Sequence, residues 1–320
     1  MISNVSFQGR LLVLFCLGSL WVCPALAQQA LSPTQPHGIV PNQSQPASLP
    51  MTPDLAKAPY QLAERSTPVP NPATISMEQR PGEHPLMPAL RWANRGLQQM
   101  DQDYHDYSAV LVKRERGTDG KLGEEQWMHI KIRHKPFSVY MLFLKPRNLK
   151  GQEVIYVEGA NNGNMLAHGT GIKAALGTLS LKPTSPIAMR DQHYPITELG
   201  LRNLIERLLE VGSNDTRYRE CEVKFFEGAK INQRDCTCIQ VVHPVPRRSF
   251  LFHMARIYVD RELNVPIRYE SYDWPKEPGG DPELIEEYTY LNLKINNGFT
   301  DSDFDTRSYE GFKGFKARKH

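Results

Sequence analysis

Long apolar runs are nearly absent from this 320-residue sequence. The longest, Leu11 to Val22, has twelve residues. A helix needs about 20 to cross a bilayer of ~30 Å, so a multi-span membrane protein is excluded. There is little excess of either charge. Lys plus Arg number 38 against 35 Asp plus Glu, a net charge of +3, which gives no general electrostatic case for nucleic-acid binding. Catalytic signatures are missing too: no His-Glu-x-x-His, Gly-x-Ser-x-Gly, phosphate-loop or dinucleotide glycine motif occurs. The ten histidines are scattered. His129, His134, His243 and His253 fall on predicted strands or strand ends and read as surface or satisfied sheet residues rather than ligands. Carboxylates adjoin in Glu124-Glu125 and Glu286-Glu287, but neighbouring strand residues point to opposite faces, so neither pair makes an acid/base dyad by itself. Nothing implies a cofactor.

Proline is present in excess and unevenly spread. Residues 28–85 hold 12 prolines in 58 positions, with seven charged residues and no apolar periodicity. Proline removes backbone donors and fixes φ, so neither helix nor central strand propagates there. The expectation is a disordered, proline-rich linker spanning roughly 45 Å as a flexible coil. Before it, residues 1–27 read as an export signal. Arg10 precedes the apolar run, and Ala25-x-Ala27 is the small-residue pattern of a cleavage site. Cleavage after Ala27 places the chain in the periplasm or cell envelope; the alternative is an uncleaved anchor.

From Leu86 the composition is that of a folded domain of 235 residues, enough for a core without metals or disulfides. Leu86, Leu90, Ala93, Leu97 and Met100 mark one helical stripe. The period then changes to two. Strands are predicted at 107–115, 126–134, 137–144, 153–158, 164–168, 220–228, 234–243, 250–260, 265–273 and 284–295. The run 137–144 is apolar on both faces and should be covered on both. Between them, Leu201, Leu204, Ile205 and Leu208 form a second helical stripe, with Thr197 as its expected N-cap and Gly212 as its end. Short turns between neighbouring strands imply antiparallel meanders. The fold class expected is therefore α+β: one curved antiparallel sheet of about ten strands with two or three helices on one face.

Three cysteines lie beyond the signal: Cys221, Cys236 and Cys238. One bridge from Cys221 to either partner, or three buried thiols, are the alternatives. A metal site is not expected, because Cys-x-Cys comes with no second ligand pair at ligand spacing. Aromatic and methionine positions give candidates for an apolar cavity between sheet and helices: Met141, Phe143, Phe252, Met254, Leu291 and Leu293. The same side chains also suit an ordinary core. Residues 307–320 form a basic tail, five basic residues to one acid, with Phe312 and Phe315 between them. It reads as a solvated terminus or as a contact with an anionic membrane.

Several motifs carry a resemblance. They are Lys-Arg-Glu-Arg at 113–116, Ile-Arg-His-Lys-Pro-Phe-Ser-Val-Tyr at 132–140, Tyr-Val-Glu-Gly at 156–159, Tyr-Asp-Trp-Pro at 272–275 and Glu-Glu-Tyr-Thr-Tyr at 286–290. Over roughly 90–306 the chain resembles a family of exported bacterial proteins catalogued as domain of unknown function 1571, which brings no activity with it. More distantly, the order of elements and the ending at 292–304 are similar to outer-membrane lipoprotein carrier and sorting proteins. That resemblance implies an unclosed barrel over 86–306 that cups an apolar cavity beneath helices. Together these readings describe a non-catalytic extracytoplasmic binding protein. Its partner would be a lipid, a lipidated protein or another envelope protein, not nucleic acid. The alternative is an envelope interaction module with a filled core.

Overall fold

The computed structural model describes residues 63–64 and 77–312. The expected signal peptide, most of the expected linker and residues 313–320 lie outside the described residues. Residues 77–85 carry no helix or strand but are tied to the body. Glu83 pairs with Arg91 at 2.6 Å, and the His84 ring bonds the Tyr218 carbonyl at 2.7 Å.

A short strand β1 (Ala63–Glu64) and helix α1 (Met87–Asp103) precede a first meander. That meander is β2 (Asp106–Glu115), β3 (Gln126–Arg133), β4 (Ser138–Lys145), β5 (Glu153–Val157), β6 (Met165–His168) and β7 (Thr178–Leu181). Helix α2 (Leu201–Asp215) leads to a second, formed by β8 (Glu222–Ile231), β9 (Arg234–Val242), β10 (Met254–Asp260), β11 (Pro266–Tyr272) and β12 (Leu284–Ile295). All strands join one antiparallel sheet in the order β1-β8-β9-β10-β11-β12-β2-β3-β4-β5-β6-β7. The meanders meet where β12 pairs with β2, and α2 carries the chain from one edge of the sheet to the other. Because β1 and β7 stay apart, the barrel is open. The expected α+β half-barrel is therefore the observed one. The ten expected strands are all present. Two further strands were not expected: β1, a two-residue edge strand within the stretch 28–85 that was expected to be a disordered linker, and β7, whose four residues show no clear alternation.

Both α-helices cover one face. α1 buries Leu90, Trp92, Ala93 and Met100, which follows its predicted stripe, and α2 buries Leu201 and Ile205. The ends of α2 differ from expectation. Thr197 lies in a separate 3-10 turn, Ile196–Glu198, and the helix starts after Gly200 at φ 117°. There the fully buried Tyr107 hydroxyl accepts the Leu201 N–H at 2.8 Å, so a strand side chain satisfies the first orphan donor. A Cβ on Gly200 would stand 2.7 Å from that hydroxyl. Gly212 does not end the helix. It lies inside it at the close approach to α1, where a Cβ would stand 3.0 Å from Leu90 Cδ2.

The opposite face of β4–β6 is covered by the chain's own C-terminal segment. Tyr140, Ile155 and Leu166 pack with Phe304 and Phe312, and Tyr309 stacks on Tyr140 with ring centroids 3.8 Å apart. The expectation that 137–144 is covered on both sides holds. The boundary of the body moves, however. Phe312, expected in a free basic tail, is only 2% exposed, because the apolar outer face of β4 needs a cover.

Cys221, Cys236 and Cys238 are buried free thiols. A bulge between Phe226 and Ala229 shifts the β8–β9 register. Glu222 then faces Val242, which brings Cys221 opposite His243 and away from both other cysteines. Burial pushes all three thiols up to about 12.

Candidate binding groove

The space between the helices and the sheet is largely filled. Among the described residues it holds an apolar cavity of about 60 Å³ lined by Leu90, Trp92, Leu208, Ile239, Phe252 and Ile257, far below the ~300 Å³ at which ligand pockets begin. Of the six cavity candidates, Phe252 alone lines it. Met141 and Phe143 are buried core residues of β4. Met254 does not share a face with Phe252. The His243 N–H donates to the His253 carbonyl at 2.7 Å, and β10 starts only at Met254. Ala255 and Ile257 line the cavity, so alternation turns Met254 to the other face. Leu291 and Leu293 are likewise separated. Asn292 adopts φ 54°, and the β12–β2 register shifts between Leu291 and Lys294. Tyr290 is core, so Leu291 faces away, and the bulge returns Leu293 to the core side.

A larger groove, about 880 Å³, opens at one end of the sheet, where α1 ends, α2 begins and β3 turns into β4. Its walls include Ile132, Arg133, His134, Lys135 and Phe137 from that turn, Tyr156 and Glu158 after β5, Leu199 and Arg202 at the start of α2, and Phe299. Two of the sequence motifs, 132–140 and 156–159, thus meet here. The β4–β5 register explains it, since Val139 faces Tyr156 and Ser138 faces Val157. Phe137 and Tyr156 rings lie 6.2 Å apart.

Several of the groove's charged groups are committed to holding it together. Arg202 Nε bonds Asp101 Oδ1 at 2.7 Å, tying α2 to the last turn of α1 and holding the Asp101 carboxyl below its ordinary value. Asp106, 4% exposed, accepts the backbone N–H groups of Asn297 (2.6 Å), Gly298 (3.0 Å) and Phe299 (3.0 Å). That nest of amides sets Phe299 on the groove wall. Arg133 Nη1 pairs with Asp301 at 2.7 Å, and its guanidinium lies 5.0 Å from the Phe304 ring. Three cations (Arg133, Lys135, Arg202) and three carboxylates (Asp101, Asp106, Glu158) line the groove, so its formal charge balances apart from His105 and His134.

His134 departs from the reading made of the strand histidines. His243 Nδ1 and His253 Nδ1 bond backbone carbonyls at 3.1 and 3.0 Å, and His243 Nε2, buried without a hydrogen bond, lies 3.3 Å from the Asp215 carboxylate. His134 packs edge-on against Tyr107, with ring centroids 5.9 Å apart, and its Nε2 is buried without a protein partner. Burial lowers its pKa.

A second polar cluster lies on the helix-covered face of β2 and β12. Glu115 and Glu286 are direct register partners there. The Tyr288 hydroxyl donates to Glu115 (2.5 Å), with Glu286 at 3.2 Å. Tyr194 donates to Glu286 at 3.0 Å. Lys113 pairs with Glu115 at 3.0 Å and bonds Gln192. His193 Nδ1 contacts Glu286 at 2.6 Å, and Nε2 donates to the Arg116 carbonyl at 2.8 Å. With both ring nitrogens facing acceptors, the imidazolium form is favoured, and the hydrogen bond to Glu286 raises its pKa to about 9. Burial pushes Lys113 down and Tyr288 up. The adjacent Glu287 points the other way, to Arg268 at 2.5 Å, as the strand reading of Glu286-Glu287 requires. Sequence reasoning missed this cluster because the β2–β12 pairing joins the two ends of the body. The available signal was that 113–116 and 286–290 are both motif segments.

The fold is that of an open antiparallel half-barrel in the α+β class. The chain belongs to the family described as a protein of unknown function (DUF1571), whose model matches residues 104–310. No curated protein matches it significantly. Among solved structures it is similar to the Mycobacterium tuberculosis lipoprotein LppX, with 11% identity over 66% of this chain and 98% of that one and a TM-score of 0.37. It is also similar to Pseudomonas aeruginosa MucB in the MucA/MucB complex, at 14% identity over 68% and 60% and a TM-score of 0.39. A third, a LolA superfamily protein from Nitrosomonas europaea, shows 10% identity over 67% and 97% with a TM-score of 0.27.

Proposed function

We propose that this chain is a non-catalytic extracytoplasmic binding protein that holds an amphipathic ligand, a lipid or the acyl part of a lipidated protein, in the groove beside the β3–β4 turn. The observation that carries this reading is the groove itself. Its volume of about 880 Å³ lies within the ~300–1,000 Å³ range of ligand pockets, and its walls combine apolar rings with polar side chains. The ligand sits there rather than in the helix–sheet cavity, which holds about 60 Å³. Export rests on the signal pattern of residues 1–27, and the proline-rich stretch after it acts as a tether. The basic residues beyond Phe312 would approach anionic lipid.

Native mass spectrometry of the protein purified from its own envelope tests the reading. Co-purifying lipid, displaced when Phe137 or Tyr156 is replaced by a charged residue, is the expected result. A clean apo mass, with no uptake of added amphiphile, would favour the second reading: an envelope interaction module with a filled core. The small size of the helix–sheet cavity is the observation on that side.

A further inference from the structure

The two edges of the sheet are built differently. The β8 edge is guarded. It carries Glu222, Lys224, Glu227 and Lys230, and the bulge between Phe226 and Ala229, with Gly228 at φ 80°, kinks it. Ala63 and Glu64 of β1 also pair with it. Charges, bulges and a covering segment are devices that keep a sheet edge from pairing with another chain. The β7 edge has none of them. From Ala174 to Leu181 there is no charged residue and no proline, and the β6–β7 register runs without a bulge. Leu176 is 69% exposed and Leu179 37%. Of the six large exposed hydrophobic side chains among the described residues, four fall within 176–194.

What β7 offers a partner is main chain and leucine. Its hydroxyls are engaged, Thr178 Oγ1 with His168 Nδ1 at 3.3 Å and Ser180 Oγ with the Asn161 and Asn164 amides at 3.2 Å. Among the described residues its backbone bonds only to β6. Leu179 faces Ala167 and Leu181 faces Met165, so both leucines lie on the side of the sheet that holds the main core.

A second copy of this chain fits that edge. Facing residues of antiparallel strands share a side of the sheet, so about a two-fold axis leucine meets leucine and Thr178 meets Ser180. With the axis at Leu179, no charge faces a charge. The two Lys182 side chains, beyond the strand ends, stand about 20 Å apart at ~3.4 Å per residue. The guarded β8 edge disfavours head-to-tail addition of a further copy, so the pairing closes at two chains. We propose that β7 is a homodimerisation edge, where two copies pair antiparallel and continue one sheet across both half-barrels. Four residues a side make a small contact, so association is weak and depends on concentration. The inference is independent of the groove reading.

Sedimentation velocity of the purified protein from micromolar to millimolar concentration, with hydrogen exchange at both ends of that range, is the test. The average mass should rise from one chain towards two, and the amides of 178–181 should gain protection with concentration. Leu179→Lys brings two cations together across the axis and removes apolar contact, and should weaken association by about tenfold. Leu179→Val keeps an apolar β-former there and should retain association. Lys224→Glu, on the other edge, should leave it as in the wild type. Thermal unfolding shows whether each variant folds; if Leu179→Lys does not, the protection of 178–181 in the wild type decides. A single-chain mass at every concentration overturns the proposal. So does association that survives Leu179→Lys or leaves 178–181 unprotected, since either puts the contact elsewhere. Growth beyond two copies overturns the closed pairing.

Discussion

Glu115 on β2 and Glu286 on β12 face each other across the strand pair that joins the two meanders, and a tyrosine, a lysine and a histidine hold the two carboxylates together. Two like charges in direct register repel. Here they are reconciled by Tyr288 donating between them and by the cations Lys113 and His193 on either side.

The His193 contact makes stability depend on pH. Its folded pKa is raised to about 9 from an ordinary value of 6.5, so its contribution is complete below 6.5 and is lost as pH rises through about 9. His193→Ala should destabilise the protein by about 1–2 kcal/mol at pH 6.5, the worth of a charge-assisted hydrogen bond. The gap between wild type and variant in urea unfolding should narrow steadily towards pH 9.5. A gap that stays constant over that range would remove His193 from this role.

Asp106 anchors the segment that carries Phe299 into the groove. Asp106→Asn keeps the volume but turns one acceptor oxygen into a donor aimed at backbone N–H groups. The expected loss is about 2 kcal/mol. The amides of 297–299 should lose hydrogen-exchange protection before the rest of the sheet, and amphiphile binding should weaken. Unchanged protection at those three amides would contradict the anchoring role.

Phe312 closes the outer face of β4–β6. Phe312→Ala should cost about 3 kcal/mol, as for a buried aromatic residue. It should also expose Tyr140 and Ile155, read out as increased binding of a hydrophobic dye. Replacement of the neighbouring Lys313, which lies outside the described residues, should do neither.

The three thiols give a chemical count. With burial holding their pKa up at about 12, Cys221, Cys236 and Cys238 should resist alkylation at pH 8 in the native protein from which residues 1–27 have been removed. All three should react in guanidinium chloride without reductant. A count of one would reveal a disulfide.

Much of the local structure was legible because it follows from short-range rules. Met128, Ile130 and Ile132 alternate, and they are buried on one face of β3. The stripe Leu90, Ala93 and Met100 became the buried side of α1. The site was less legible. Met254 and Leu291 were assigned to the cavity by strict alternation, and both assignments failed at a local irregularity: a late strand start after His253, and a bulge at Asn292. One extra residue inverts the side of everything after it, and no pattern of hydrophobicity marks where it is inserted.

Composition and periodicity settle that this chain makes an antiparallel α+β sheet with helices on one face, because burial of apolar stripes at periods of 2 and 3.6 is a local property of the chain. They do not settle which ends meet. The pairing of β12 with β2 sets Glu115 against Glu286, and the turn from β3 into β4 brings His134, Phe137 and Tyr156 into one groove. The chain's own C-terminal segment, not another helix, covers the second face. Each of these depends on contacts between residues far apart in sequence, whose geometry exists only once the sheet has closed on its register.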